Sequence, residues 1–539
     1  MQASFPPTAR TAAWTLAIVL LIAARLPSLL HPAGGDQSLY LYSGQRILAG
    51  DVPYRDVWDQ KPPGIAFVYA ALWRVWPHES IVPAADAAAA AVTAWLLLLL
   101  GRRWFGVPVG AMAAAAFLLF GDPSIQRTAG LAVRAQCETF IALAVSAALV
   151  AVSMPRRRSW HLVAGGVALA CAFWLKYNAA VYALPVALAA MHPGAGGVDW
   201  RRRLRHLIPV LAGGLAVSLA VLTYFGAHGA LEDLWRATID YNLLYSRETF
   251  TASTGPIGYL LSLPLTRARV DLLWFLGLLG AGVLAVRRPA CTGTVLMAWI
   301  AAALLAIAAN GARGLPQYFV QAAPALALAA AAGLTSAWRS RGVWRIAAAA
   351  AVAAGLWRVG FEPVSLAQPR LGGLPSVWSN LRFDLELATG RLDPRTYLER
   401  FGGTGEVGKF SVTAVEDLAD DLRYETSPSD PVLVFGFAGG GVLARSGRVS
   451  PTRFFWSRPV VVEFARDAPG YGPDGLLADL LRRPPAVVAL QKRDWRIGEP
   501  AVPNSIEYFM ATPRLREWLE VGYELKEDGP VFAVWRKRS

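Results

Sequence analysis

The sequence predicts a polytopic α-helical membrane protein carrying a small α/β domain at its C-terminal end, and three observations lead there. The 539 residues are 55% hydrophobic, with a mean hydropathy of +0.38, too apolar for a soluble chain of ordinary composition. The apolar residues come in long blocks near the ~20 residues that cross a ~30 Å hydrocarbon core, without the polar face of a soluble surface helix. Arginine clusters occupy alternate gaps between these blocks, and beyond residue 361 the composition turns to mixed charge with Pro and Gly punctuation.

About eleven transmembrane helices are expected, near 11–30, 81–100, 107–121, 131–152, 160–175, 178–192, 206–227, 271–286, 291–309, 318–337 and 343–361. The first is read as an uncleaved span, because no clear small-residue cleavage site follows it. The short gaps with Arg102 and Arg103, Arg156 to Arg158, Arg201 to Arg203 with Arg205, Arg287 and Arg288, and Arg339, Arg341 and Arg345 are basic and nearly free of acids. By the positive-inside rule they are cytoplasmic. The longer, mixed-charge segments 31–80, 122–130, 228–270 and 310–317 then face outward. A cytoplasmic N-terminus and an odd span count put the C-terminal segment outside as well, in the plasma membrane of the cell. The net charge of +14 therefore reads as a topology signal and not as a nucleic-acid footprint. Cys137, Cys171 and Cys291 all fall in expected spans, so no disulfide framework or Cys-based metal site is readable.

Two domains follow: a membrane module, 1–361, with its first outer loop at 31–80, and a soluble extracytoplasmic α/β domain, 362–539. In the latter PVLVFGF (431–437), PVVVEF (459–464) and PAVVALQ (485–491) read as strands. A terminal hairpin turns near Asp528-Gly529, and helices are expected at 474–483 and 512–521. The Gly-rich GFAGGGVLARSG lacks the Gly-Lys-Ser/Thr of a P-loop and reads as a turn.

The first outer loop is the most informative segment. Gln37 to Ala49 has helical spacing, GDVPY is a turn, and Gly64 to Val75 forms a second amphipathic helix along the interface. Asp36, Asp51, Arg55, Asp56, Asp59 and Lys61 crowd close to the membrane. Ionisable groups there are costly enough to point to function, although for any one of them a solvated loop capping the bundle is the bland alternative. Asp36 also reads as an N-cap for a helix starting near Ser38.

This loop resembles that of the GT-C membrane glycosyltransferases, in the branch of family 39-type enzymes with the protein O-mannosyltransferases and the lipid A aminoarabinose transferases. The family pattern is an Asp-Glu pair, Tyr, a helix, Gly-x-x-Pro-Tyr and Lys-Pro-Pro; here it is Asp36, Tyr40, Gly50, Pro53, Tyr54 and Lys61-Pro62-Pro63. RAQCETF (134–140), WLKYNAAVYALP (174–185), NGARGLPQYFVQAAPALAL (310–328) and the tail with VFGFAGGGVLARSGR extend the likeness over most of the chain. Gln37 and Gln60 stand where relatives often have Glu, and Gln317-Tyr318 where His-Tyr is common. These departures weaken any metal-assisted mechanism, and no spacing among His31, His78 and His228 supports a divalent metal or any other cofactor.

The resemblance implies inverting transfer of a sugar from a polyprenyl-phosphate donor, a membrane lipid, to an unidentified acceptor. The chemistry needs a base for the acceptor hydroxyl and positive charge for the departing phosphate. Asp36 is the candidate base; Lys61, Arg313 and Lys176 are the candidate phosphate contacts, against snorkelling or a plain loop charge. Tyr40, Tyr54, Asp59, Arg134, Glu138, Asn242, Tyr245, Gln317 and Tyr318 are candidate substrate contacts. Arg134 and Glu138 also fit an i,i+4 ion pair. Two other functions compete: a flippase for lipid-linked glycans, which should show paired halves that the sequence lacks, and a catalytically silent scaffold for envelope assembly.

Overall fold

The computed structural model describes residues 15–16, 18–19, 21–23, 25–121, 134–191, 200–249, 255–286, 291–311, 314–340, 342–361, 374–401, 410–496 and 501–538. It is 71% helical. Part of the first expected span, all of 122–130 and Arg313 lie outside the described residues. Elsewhere helices occupy the apolar blocks: Ile81–Trp104, Val107–Phe120, Cys137–Val152, Ser159–Leu175, Ala183–Met191, Leu207–Ala227, Leu272–Val286, Cys291–Ala309, Ala323–Arg339 and Val343–Phe361. Among the described residues four helical stretches are long and apolar enough to cross a membrane: Ile81–Trp104, Arg203–Ala227, Cys291–Ala309 and Pro316–Arg339. Gly255–Ala268 and Leu272–Val286, bent by 110°, make a fifth if counted as one span, and several apolar helices are shorter.

Residues 228–270, read from the sequence as an outward segment with a membrane-surface helix as the alternative, are helical over most of their described positions, ending in Gly255–Ala268. Ile257, Leu261 and Leu265 recur every fourth residue there and stay exposed, an apolar stripe that a helix presents and a loop does not.

By contacts the chain divides into two units, 1–30, 83–224 and 244–384 in the first, and 31–82, 225–243 and 385–539 in the second. In the first, Pro316–Arg339 is the enclosed helix, 78% buried, whereas Arg203–Ala227 is 11% buried. Small residues make the enclosure tight: a Cβ added to Gly333 would lie 2.3 Å from Gly280 Cα. Without a hydrophobic drive between helices in lipid, such close backbone packing holds a bundle together.

The second unit contains a four-stranded sheet: β1 (Val432–Phe435), β2 (Val487–Gln491), β3 (Tyr523–Asp528) and β4 (Phe532–Lys537), in the order β1-β2-β4-β3. β1 and β2 pair in parallel, with Val434 opposite Ala489, and β4 runs antiparallel to both β2 and β3. The two parallel strands are buried throughout, as continuous apolar strands must be. The hairpin and both expected helices are present, as Gly472–Arg482 and Pro513–Gly522. The third expected strand is not. In PVVVEF the chain forms the short helix Arg458–Val461, since Pro459 has no N–H for a ladder and suits a first helical turn.

The Gly-rich run is also a helix, Gly439–Ser446, closed by Gly447 at φ +68°. Its glycines serve close approach: a Cβ on Gly440 would meet Leu39 Cδ2 at 2.8 Å, and one on Gly439 would meet the Phe455 carbonyl oxygen at 2.3 Å. The helix Gly35–Leu48 lies against it. Tyr42 Oη accepts the Ser450 N–H at 2.9 Å, and Gln45 Nε2 donates to the Ala444 carbonyl at 3.3 Å. Arg445 closes the contact. It donates to the Ala33 carbonyl at 3.1 Å and pairs with Glu79 and, at 2.8 Å, with Glu416. Its side chain is 7% exposed, so losing one partner would cost on the order of 3–5 kcal/mol.

Another buried ionisable group lies just past β2. Asp494 accepts N–H groups from Phe437, Trp495 and Ser505 at 3.0–3.2 Å, and the Ser505 hydroxyl at 2.5 Å. Burial outweighs these donors and pushes the carboxyl up to about 6.

Two predictions follow from this packing. The folded Asp494 carboxyl binds its proton more tightly than the unfolded one, so its stabilisation is full below about pH 4 and lost as the pH rises through about 6. Thermal unfolding should show the wild type gaining stability relative to Asp494→Asn as the pH falls from about 7 to about 5; a gap that stays constant with pH would refute this. Gly440→Val should destabilise by about 1–3 kcal/mol through overpacking against Leu39. Gly522→Ala, where a Cβ meets nothing within 4 Å, should be close to neutral in the same denaturation assay.

Candidate functional site

In the second unit the candidates gather around the start of Gly35–Leu48. The helix begins earlier than the sequence suggests: its N-cap is Gly34, and Asp36 lies inside the first turn and is not the cap. A carboxylate there complements the exposed N–H dipoles. Gly35, just before it, has no room for a side chain, because a Cβ would come within 2.5 Å of the Phe437 ring.

Lys61 reaches back to this turn. Its Nζ lies 3.7 Å from Asp36 Oδ2, and the two side chains are 15% and 26% exposed. The ammonium also sits 4.8 Å from the Tyr40 ring centroid, and Tyr40 itself is buried edge-on to Tyr69 at 5.3 Å. The turn that carries Lys61 is tightly held. Tyr54 takes the left-handed conformation at φ +70°, which a non-glycine residue adopts only under constraint. Its N–H donates to the Val57 carbonyl at 2.7 Å and its hydroxyl to the Lys61 carbonyl at 2.7 Å. Asn242 donates to the next carbonyl back, that of Gln60, at 2.6 Å.

Asp59 is 5% exposed and accepts the Gln60 N–H at 2.7 Å. Burial pushes its carboxyl up, and Asp36 adds to this against the pull of Lys61. Asp59, Lys61, Tyr54, Ser43 and Ile65 line a small open pocket between the two helices of the loop. The close helix pairing comes from Gly44, where a Cβ would meet the Ala70 nitrogen at 2.7 Å.

In the first unit a second set assembles. Glu138, in the first turn of Cys137–Val152, pairs with Lys176 at 2.5 Å, with side chains 2% and 15% exposed. This ion pair runs between helices, in addition to any pairing along the chain. Lys176 lies 4.2 Å from the centroid of Tyr318. Gln321 donates to the Tyr318 carbonyl at 3.0 Å and accepts the Tyr182 hydroxyl at 3.1 Å. Gln317 and Tyr245 are half-buried. Arg134 precedes the helix and lies 3.7 Å from Asp86.

Asp86 and Arg267 did not stand out among the candidate residues. Arg267 is buried in the last turn of Gly255–Ala268, 3.4 Å from Asp271 and 4.2 Å from the Phe319 ring centroid. A lone acid within an Ala-rich apolar run is itself a signal, and Asp86 carries it. Among the described residues no group of three or more His, Cys, Asp or Glu is placed to hold a metal ion.

No family model matches the chain, and no curated protein matches its sequence. Solved structures do match its fold. The crystal structure of ArnT from Cupriavidus metallidurans bound to undecaprenyl phosphate aligns with a TM-score of 0.61 at 17% identity, over 98% of each chain. Its apo state gives 0.59 at 16%, again over 98% of each. Archaeoglobus fulgidus AglB, an archaeal oligosaccharyltransferase in complex with an inhibitory peptide and a dolichol-phosphate, gives 0.47 at 13%, over 89% of this chain and 70% of that one. With its apolar helices and C-terminal sheet, the chain has a fold similar to that of ArnT over nearly its whole length.

Proposed function

We propose that this protein transfers a sugar from a polyprenyl-phosphate donor to an acceptor on the extracytoplasmic side of the membrane, with inversion at the anomeric carbon. The observation that carries the reading is the Asp36–Lys61 pair, a partly accessible carboxylate and ammonium 3.7 Å apart, in a fold shared with a protein solved with undecaprenyl phosphate. Asp36 takes the proton of the acceptor hydroxyl as its oxygen bonds to the anomeric carbon. The bond from that carbon to the phosphate oxygen breaks, and its electron pair leaves on the lipid phosphate. Lys61, held over Tyr40, offers that phosphate a point charge.

In the resting state Asp36 and Lys61 neutralise each other. A donor phosphate that draws on Lys61 leaves Asp36 freer to accept a proton, so binding of the donor prepares the base. Asp59, Tyr54 and Asn242 hold the turn that presents Lys61. By resemblance the reading also assigns Arg313 and Lys176 to the donor, and Arg134, Glu138, Tyr245, Gln317 and Tyr318 to the substrates. No step is routed through a metal. The topology that goes with it is eleven spans within 1–361, a cytoplasmic N-terminus and an extracytoplasmic 362–539.

Two predictions test the chemistry and the topology. Purified Asp36→Asn should lose about 10²–10⁴-fold in transfer, the usual worth of a positioned base, while binding donor at least as tightly as wild type, because Lys61 no longer has a competing carboxylate. Lys61→Ala should instead weaken donor binding, with poor rescue by the larger, planar Lys61→Arg. Transfer from a polyprenyl-phosphate sugar at wild-type rates by Asp36→Asn would remove Asp36 as base. For topology, Ser429 is exposed; Ser429→Cys, in a chain freed of its three native cysteines, should react with an impermeant maleimide in intact cells. Reaction only after permeabilisation would reverse the orientation.

A further inference from the structure

Asp86 is an acid inside the apolar helix Ile81–Trp104, in the stretch IVPAADAAAAAVTAW, and it is 4% exposed. A carboxylate within an apolar helix is costly unless it is paired, so its contacts have to offset that. Both oxygens are engaged. Oδ1 accepts the Ala135 N–H at 2.9 Å and the Thr139 hydroxyl at 3.3 Å. Oδ2 lies 3.7 Å from Nη1 of both Arg25 and Arg134, and Arg25 is steadied in turn by the Leu118 carbonyl at 3.0 Å.

What Asp86 holds is an unusual piece of backbone. Ala135 is left-handed at φ +47°, a conformation an alanine keeps only when its surroundings impose it. Two residues later Cys137–Val152 begins, with Glu138 in its first turn and Thr139, the other Asp86 partner, next to it. The direction in which Glu138 leaves the helix is therefore set from both sides by one carboxylate on another helix. Glu138 in turn fixes the Lys176 ammonium at 2.5 Å.

We infer that Asp86 is a positioning residue: by pinning Ala135 and Thr139 it aims Glu138, and through Glu138 it sets the place and reactivity of the Lys176 ammonium. It touches no substrate. The inference rests on the proposed function only in reading Lys176 as a donor contact; the geometric chain from Asp86 to Lys176 stands without it. A purely architectural Asp86 would stabilise the bundle and leave the Lys176 amine unchanged in whatever protein folds.

The test uses the full-length protein in lipid nanodiscs. Lys176 is labelled with a small amine-reactive reagent and followed by mass spectrometry, beside the thermal unfolding midpoint. Asp86→Asn keeps one acceptor oxygen but removes the charge facing Arg25 and Arg134. It should raise the Lys176 labelling rate between about 2-fold and 30-fold, the range seen for residues that couple sites without touching a ligand. Thr139→Val removes a single hydrogen bond and should shift the rate in the same direction by less, which covers the case where the Asp86 variant folds poorly. Wild-type labelling rates in folded Asp86→Asn and Thr139→Val would overturn the inference. Transfer measured in parallel separates the two ideas. Faster labelling in a protein whose wild type transfers no sugar keeps the positioning role and sinks the function. With active protein, Asp86→Asn should show altered donor dependence of the rate.

Discussion

The contact on which the candidate site most depends is the packing of Gly35–Leu48 against Gly439–Ser446. Asp36 is in the first turn of one helix, and the glycines of the other admit its neighbours without a gap: Leu39 rests over Gly440, and Gly35 faces the Phe437 ring. Close-packed interiors transmit small displacements instead of absorbing them. Where Phe437 and Gly440 sit therefore decides where the Asp36 carboxylate sits relative to Lys61. Arg445, shared among Ala33, Glu79 and Glu416, adds buried charge pairs to this docking, and removing one partner would leave a charge uncompensated. The loop and the C-terminal segments are thus one folded unit, and the sheet supports the loop as much as it forms a domain of its own.

Buried charge is the second recurring constraint. Asp86 with Arg25 and Arg134, Glu138 with Lys176, and Arg267 with Asp271 all hold opposite charges in apolar surroundings. Such pairs add little net stability over a well-packed apolar core, but breaking one leaves an uncompensated charge. They therefore specify geometry more than they stabilise it. Apart from Arg267 and Asp271, which are four residues apart, the pairs tie residues far apart in sequence: 86 to 134, 138 to 176. The Asp36–Lys61 pair differs in being partly open, at 26% and 15% exposure. A partly hydrated ion pair exchanges partners at smaller cost than a buried one, which suits a lysine that must meet an incoming anion.

Much of the architecture was legible because hydrophobic length and period are local properties. The apolar blocks became helices, and PVLVFGF, PAVVALQ and the terminal hairpin became strands. Elsewhere the structure departs from these local readings. PVVVEF has the composition of a strand, but Pro459 removes a ladder donor and opens a short helix instead. The glycines of GFAGGG look like a loop because local propensity cannot register that a neighbouring helix needs the space a side chain would fill.

By itself the sequence determined the class of protein, the places of most helices, the basic clusters and the short segment in which Asp36, Tyr40, Tyr54 and Lys61 occur, because each of these depends on the composition of a few neighbouring residues. Only the tertiary structure decided that Asp36 lies within a helical turn and 3.7 Å from Lys61, that Glu138 meets Lys176, and that Asp86 holds the turn before Glu138. Those pairings join side chains from different helices and turns. Electrostatic attraction and hydrogen bonding fall off within a few ångströms, so which charges meet is set by the path of the whole chain and not by their spacing along it.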